Sequence, residues 1–172
     1  MAQGEFALVR ERLEQALPLS GQPVKRGTMA HEHIVHMMVV DSLAISEDGP
    51  GIAAHAPRLV ELAERDGHQP YLAVAWRALG VAGRLKGEFA EAGDLLKAAL
   101  DVFAERGTVW QKGRTLCELG KLELARGSTE QAEAFLTDAL KAFEQIGAGP
   151  LLEQVRVELD KIGSPDQWSS DK

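Results

Sequence analysis

Apolar and small residues recur at helical spacing from Trp76 onward, and the same pattern returns forty positions later. Leu79, Gly80, Gly87, Ala92, Leu96, Ala99, Leu100, Phe103 and Gly107 come back as Leu119, Gly120, Gly127, Ala132, Leu136, Ala139, Leu140, Phe143 and Gly147. A fixed period of this size is the signature of a helical repeat, in which each unit buries its apolar face against its neighbours. Stepping back by the same period takes Gly107 to Gly67, Leu79 to Val39 and Leu100 to Val60. Residues 31–67 therefore read as a degraded first copy.

The pattern predicts helices over 5–17, 31–45, 52–66, 70–86, 88–106, 109–126, 129–146 and 151–162. In the first, Phe6, Val9, Leu13, Ala16 and Leu17 share one side, and Pro18 stops it. The helix over 31–45 carries Ile34, Val35, Met37, Met38, Val39 and Leu43 around much of its girth, which predicts burial on several sides. Pro57 predicts either a late start or a kink in the helix over 52–66. Gly87, Gly107, Gly127 and Gly147 fall at helix ends, where a left-handed residue costs least. Thr28 reads as an N-cap, and Ser128 followed by Gln131 as a capping box. The last helix would turn Leu152, Val155 and Leu159 inward and Glu153, Arg156, Glu158 and Lys161 to water, closing the stack. The resulting organisation is an N-terminal helix and loop over 1–27, a repeat domain over 28–162 with pairs at 31–67, 70–107 and 109–147, and a polar tail over 163–172 in which Trp168 would dock back.

Composition narrows the chemistry. Apolar residues make up 45% but aromatics only 5%, so the core must be built from Ala, Leu and Val, which suits closely packed helices better than a β-sandwich. A formal charge of -7 argues against nucleic acid or an anionic membrane as partner. Cys117 is the only cysteine, which leaves no disulfide within the chain and points to a reducing cytoplasm. Glu5, Arg10, Glu11 and Arg12 break up the N-terminus, so no signal peptide is expected, and no apolar run would span a bilayer.

Trp76, Leu79 and Gly80, followed by Ala92, Leu96 and Ala99, resemble the tetratricopeptide pattern, and Leu116, Leu119, Gly120, Ala132, Leu136 and Ala139 repeat it. The resemblance implies an all-α, right-handed superhelix of antiparallel helix pairs. Two features depart from it. Gly83 and Glu123 hold the tyrosine position, and Ala104 and Glu144 replace the proline that usually ends the second helix. Without that proline the second helix continues, and the unit exceeds the usual ~34 residues by roughly six, or about 1.7 turns. This longer style is similar to the repeats of bacterial signal-transduction ATPases and maltose-activator-type regulators.

The resemblance also implies that the first helix of each pair lines a concave face. The lining positions carried over are Val74, Arg77, Val81 and Arg84, then Arg114, Cys117, Lys121 and Leu124. Independently, Arg77 and Arg84 lie seven apart, as do Arg114 and Lys121, so each basic pair shares one helix face. Four cations so placed would seat a carboxylate or an acidic peptide. The plainer alternative is that they pair with Glu118 and Glu123.

His31, His33 and His36 with Glu32 suggest a metal, but the pattern H-E-x-x-H would need its second histidine at position 35, which is Val35. Nearby residues supply no further ligand set, so they read as polar surface histidines, with no metal and no cofactor. No phosphate loop and no nucleophile elbow occur. The expected function is a non-catalytic module that binds a protein or peptide in its concave face. The alternative is a sensor or regulatory domain of a bacterial signalling or transcription system, with self-association or a small effector. Homodimer formation through the helix over 31–45, Trp110 and Trp168 is a third reading.

Overall fold

The computed structural model describes residues 11, 12, 15 and 29–163. Seven helices run through 29–163: α1 Met29–Ile45, α2 Gly49–Arg65, α3 Gln69–Lys86, α4 Phe89–Glu105, α5 Val109–Arg126, α6 Thr129–Gln145 and α7 Gly149–Gly163. No strand occurs among the described residues. Residues 11, 12 and 15 are helical, with Gln15 hydrogen-bonding to both Glu11 and Arg12. The remainder of the helix expected over 5–17, the Thr28 cap and the tail with Trp168 lie outside the described residues.

The forty-residue period is written into the backbone. Gly67, Gly107 and Gly147 take φ of 64°, 64° and 66°, while Gly87 and Gly127 take 82° and 80°. Each set steps by one period, so residues up to Gly67 share the geometry of the later copies. A left-handed φ is cheapest without a Cβ, which suits glycine to these turns; forty residues before Gly87 the turn is made by Glu47, the one described non-glycine residue with positive φ, at 53°. At Gly87 and Gly127 the cap N–H closes onto the carbonyls of Arg84 and Leu124. The helix α4 continues through Ala104, and α6 through Glu144, as expected where the terminating proline is missing.

Two local expectations are corrected. The helix α2 starts at Gly49 rather than after Pro57, because Asp48 caps it by accepting from the Gly51 N–H at 2.9 Å and Pro50 sits in its first turn. Ser128 is the N-cap of α6, but its side chain makes no capping hydrogen bond. The chain turns there instead on Gly127 and on the Ser128 N–H bonding to the Glu123 carbonyl at 2.8 Å.

The chain divides into two compact units, residues 1–102 and 103–172, with the division inside α4. In the first unit α1 packs on both α2 and α3, and α2 on α3. Val39, Leu43, Ile52, Leu59, Leu62, Ala78 and Leu96 are fully enclosed there. Gly80 lets α4 approach α3 closely: a Cβ at that position would lie 2.6 Å from Leu96 Cγ and 3.1 Å from the Ala92 carbonyl. In the second unit α5 packs on α6, and α6 on α7, around Phe103, Leu119, Leu122, Leu136 and Phe143. Gly120 repeats the close approach, with a Cβ there 2.7 Å from Leu136 Cγ. The period thus preserves a glycine on one helix and a leucine on its mate, because the contact needs both. The two residues at the tyrosine position behave differently. Gly83 brings Ala92 against the α3 backbone, while Glu123 is buried and takes a 2.8 Å ion pair from Arg126.

Candidate protein-binding face

In the first unit the carried-over lining residues sit on α3. Val74 and Val81 are buried. Arg77 is only 2% exposed, and its Nη2 donates to Asp41 Oδ1 of α1 at 2.8 Å. About two turns further along, Arg84 Nη2 donates to Glu47 Oε1, just past the end of α1, at 2.7 Å. Two guanidinium groups spaced seven apart on one helix therefore each hold a carboxylate six residues apart on the neighbouring segment. The same face expected to grip acidic side chains does grip two, and they come from this chain. Asp41 and Glu47 were not singled out in the sequence because no local spacing marks them. They stand 36 and 37 residues from their partners. The only signal is that α1 and α3 are first helices of successive pairs.

In the second unit Arg114, Cys117, Lys121 and Leu124 lie on α5, all at intermediate exposure. Lys121 Nζ donates to Glu118 Oε1 at 3.0 Å, a pairing anticipated from their spacing of three along the helix. Glu123 is engaged instead by Arg126, on the other side of α5. Desolvation, with help from Glu118 and Glu158, pushes the Cys117 thiol up to about 12 against the pull of Lys121 and Arg114. Burial disfavours the thiolate here. Glu158 comes from α7, so the charges around Cys117 are contributed by two helices of this unit. The carried-over residues thus stand as two sets, one on each unit. In the forty-residue frame Arg77 and Arg84 correspond to Cys117 and Leu124, while Arg114 and Lys121 correspond to Val74 and Val81. The cations of the two repeats occupy neighbouring positions on the helix surface rather than the same ones.

The histidines require a correction. His33 is buried at 4% exposure rather than lying on the surface. Its Nε2 faces two acceptors, Asp66 Oδ2 at 3.0 Å and the Leu62 carbonyl at 3.1 Å, so that nitrogen carries the hydrogen. Its ring stacks on Tyr71, which stacks on His68 with centroids 3.9 Å apart. The reason is position: α1 is covered by α2 and α3 together, and a residue at 33 meets the turn between them. Nearby, Glu32 takes a 2.7 Å bond from Arg58 of α2. Among the described residues no group of three His, Cys, Asp or Glu side chains is placed to hold a metal ion. No helix among them is long and apolar enough to cross a membrane.

Residues 71–145 match the family model described as tetratricopeptide repeat. No curated protein matches the chain significantly. The matched span covers α3 through α6, the two pairs in which the glycine–leucine contacts at Gly80 and Gly120 recur.

Proposed function

We propose, from the match of residues 71–145 to the tetratricopeptide-repeat model and from the protein–protein interactions that such repeats mediate, that the chain is a non-catalytic binding module. Its partner is an acidic protein segment, extended or helical, held against the face of α5 that carries Arg114 and Lys121. The observation that carries this reading is the capture of Asp41 by Arg77 and of Glu47 by Arg84. It is a working example, inside the first unit, of carboxylates seated by cations seven apart. On α5 the basic pair with the same spacing of seven is Arg114 and Lys121, three positions earlier in the repeat frame and on a helix face that includes Cys117 and Leu124. A partner carboxylate would replace Glu118 on Lys121 and gain bidentate contact from Arg114.

The experiment is a selection of peptides from a random display library on the wild-type protein. Enrichment of Asp and Glu is expected, with binding that weakens as salt rises. Arg114→Glu combined with Lys121→Glu should abolish binding while leaving the melting temperature in place. Selected peptides without acidic enrichment, or indifferent to the double variant, would refute the reading.

The forty-residue period favours a second reading, a sensor or regulatory segment of a bacterial signalling system that responds to a small effector. A screen of melting temperature against small metabolites would raise it for at least one compound under that reading and for none under the first.

A further inference from the structure

All five histidines of the chain fall between positions 31 and 68, and none occurs after position 68. Four of them, His33, His36, His55 and His68, belong to α1, α2 and the turn leading into α3. Only side chains of this kind change charge between pH 5 and 8 without an unusual environment. Mild acid therefore acts on one seam of the protein and leaves the later repeats untouched.

Within that seam the individual histidines are not equivalent. His33 faces Asp66, whose carboxylate is held below its usual range by hydrogen bonds from Arg65 at 2.8 Å, so a charge on His33 is met by an anion. At this end of α3, Tyr71 stacks on both His33 and His68, and the rings of His33 and His68 are tilted to one another with centroids 6.0 Å apart. His36 has the opposite surroundings. Its Nδ1 is buried with no hydrogen-bond partner. From its own helix it faces Glu32 and His33, and from α2 it faces Arg58 and His55. Glu32, the one anion of that group, is already bonded to Arg58 at 2.7 Å. Burial and the neighbouring cations hold His36 below its ordinary value of 6.5, with Glu32 opposing them.

We propose that the α1–α2 seam is an acid-sensitive latch: protonation of His36 loosens α1 from α2 while α5 and α6 stay packed. The sign follows from linkage. A histidine that binds its proton less readily in the docked state than in the open one contributes stability above its unfolded value, and that stability drains away as pH falls below it. With an ordinary value of 6.5, one such group changes a docking equilibrium by at most about tenfold between pH 7.5 and 5.5.

Amide hydrogen exchange on the full chain tests this, with rates corrected for the intrinsic pH dependence. Protection of α1 amides should fall several-fold from pH 7.5 to 5.5, within the tenfold ceiling, while α5 and α6 amides hold theirs. His36→Leu should remove the fall. In the wild type, the His36 ring resonance should titrate below 6.5, a measurement that needs no variant. An equal loss across α1, α5 and α6, a fall that persists in His36→Leu, or titration at or above the ordinary value would each overturn the proposal.

Discussion

Removing the carboxylate of Asp41 is the most informative single perturbation of this fold. Arg77 is 2% exposed and Asp41 19%, and their contact is 2.8 Å. A guanidinium so enclosed cannot recover the lost counter-charge from water. Breaking one partner of a fully buried pair costs about 3–5 kcal/mol. Asp41 is one-fifth exposed, and both residues have further interactions, so Asp41→Leu should destabilise by roughly 2–4 kcal/mol. Arg77→Met should cost less, because a partly exposed carboxylate can rehydrate while methionine fills the space of the arginine stem. The double variant should cost less than the sum, with a coupling of about 1–3 kcal/mol. Urea unfolding followed by circular dichroism, with Trp76 fluorescence reporting on α3, gives all three values. A loss below about 1 kcal/mol for Asp41→Leu, or additive singles, would refute the claim that this pair fastens α1 to α3.

Four further outcomes follow from the structure. Gly120→Ala places a methyl 2.7 Å from Leu136 Cγ; overpacking of about 1–3 kcal/mol outweighs the helix preference of about 1 kcal/mol, and a lowered denaturation midpoint is expected. Gly127→Ala meets no atom within 4 Å yet should lose about 1 kcal/mol, because φ is 80° there and L side chains resist that region; an unchanged midpoint would contradict the strain. Phe143→Ala should cost about 3–5 kcal/mol and blue- or red-shift Trp110 emission, since the two rings meet edge to face at 6.2 Å. Cys117, pushed up to about 12, should react with a disulfide reagent at pH 8 about a thousandfold more slowly in the folded protein than in urea. Comparable rates would show that the thiol is not desolvated.

The sequence determined the elements and their pairing. Helix spans such as 70–86 and 109–126 could be placed because periodicity, capping glycines and a repeat unit are all local signals, carried within a few turns of chain. The recurrence of Gly80 with Leu96 as Gly120 with Leu136 was visible as periodicity; that each pair marks a close backbone approach comes from the packing. The pairing of Lys121 with Glu118 was legible because three residues along a helix fixes proximity.

Tertiary structure alone decided how the charges on α3 are used and where the histidines lie. Arg77 and Arg84 read as candidate anchors for a partner; the carboxylates they hold arrive from α1 and the turn that follows it, 36 and 37 residues away. His33 read as a surface residue because it stands among the polar residues His31, Glu32 and His36, yet packing by α2 and α3 encloses it. A side chain's own helix can be inferred from periodicity, but what covers it depends on neighbours brought up by the fold, and no local pattern encodes which face they will take.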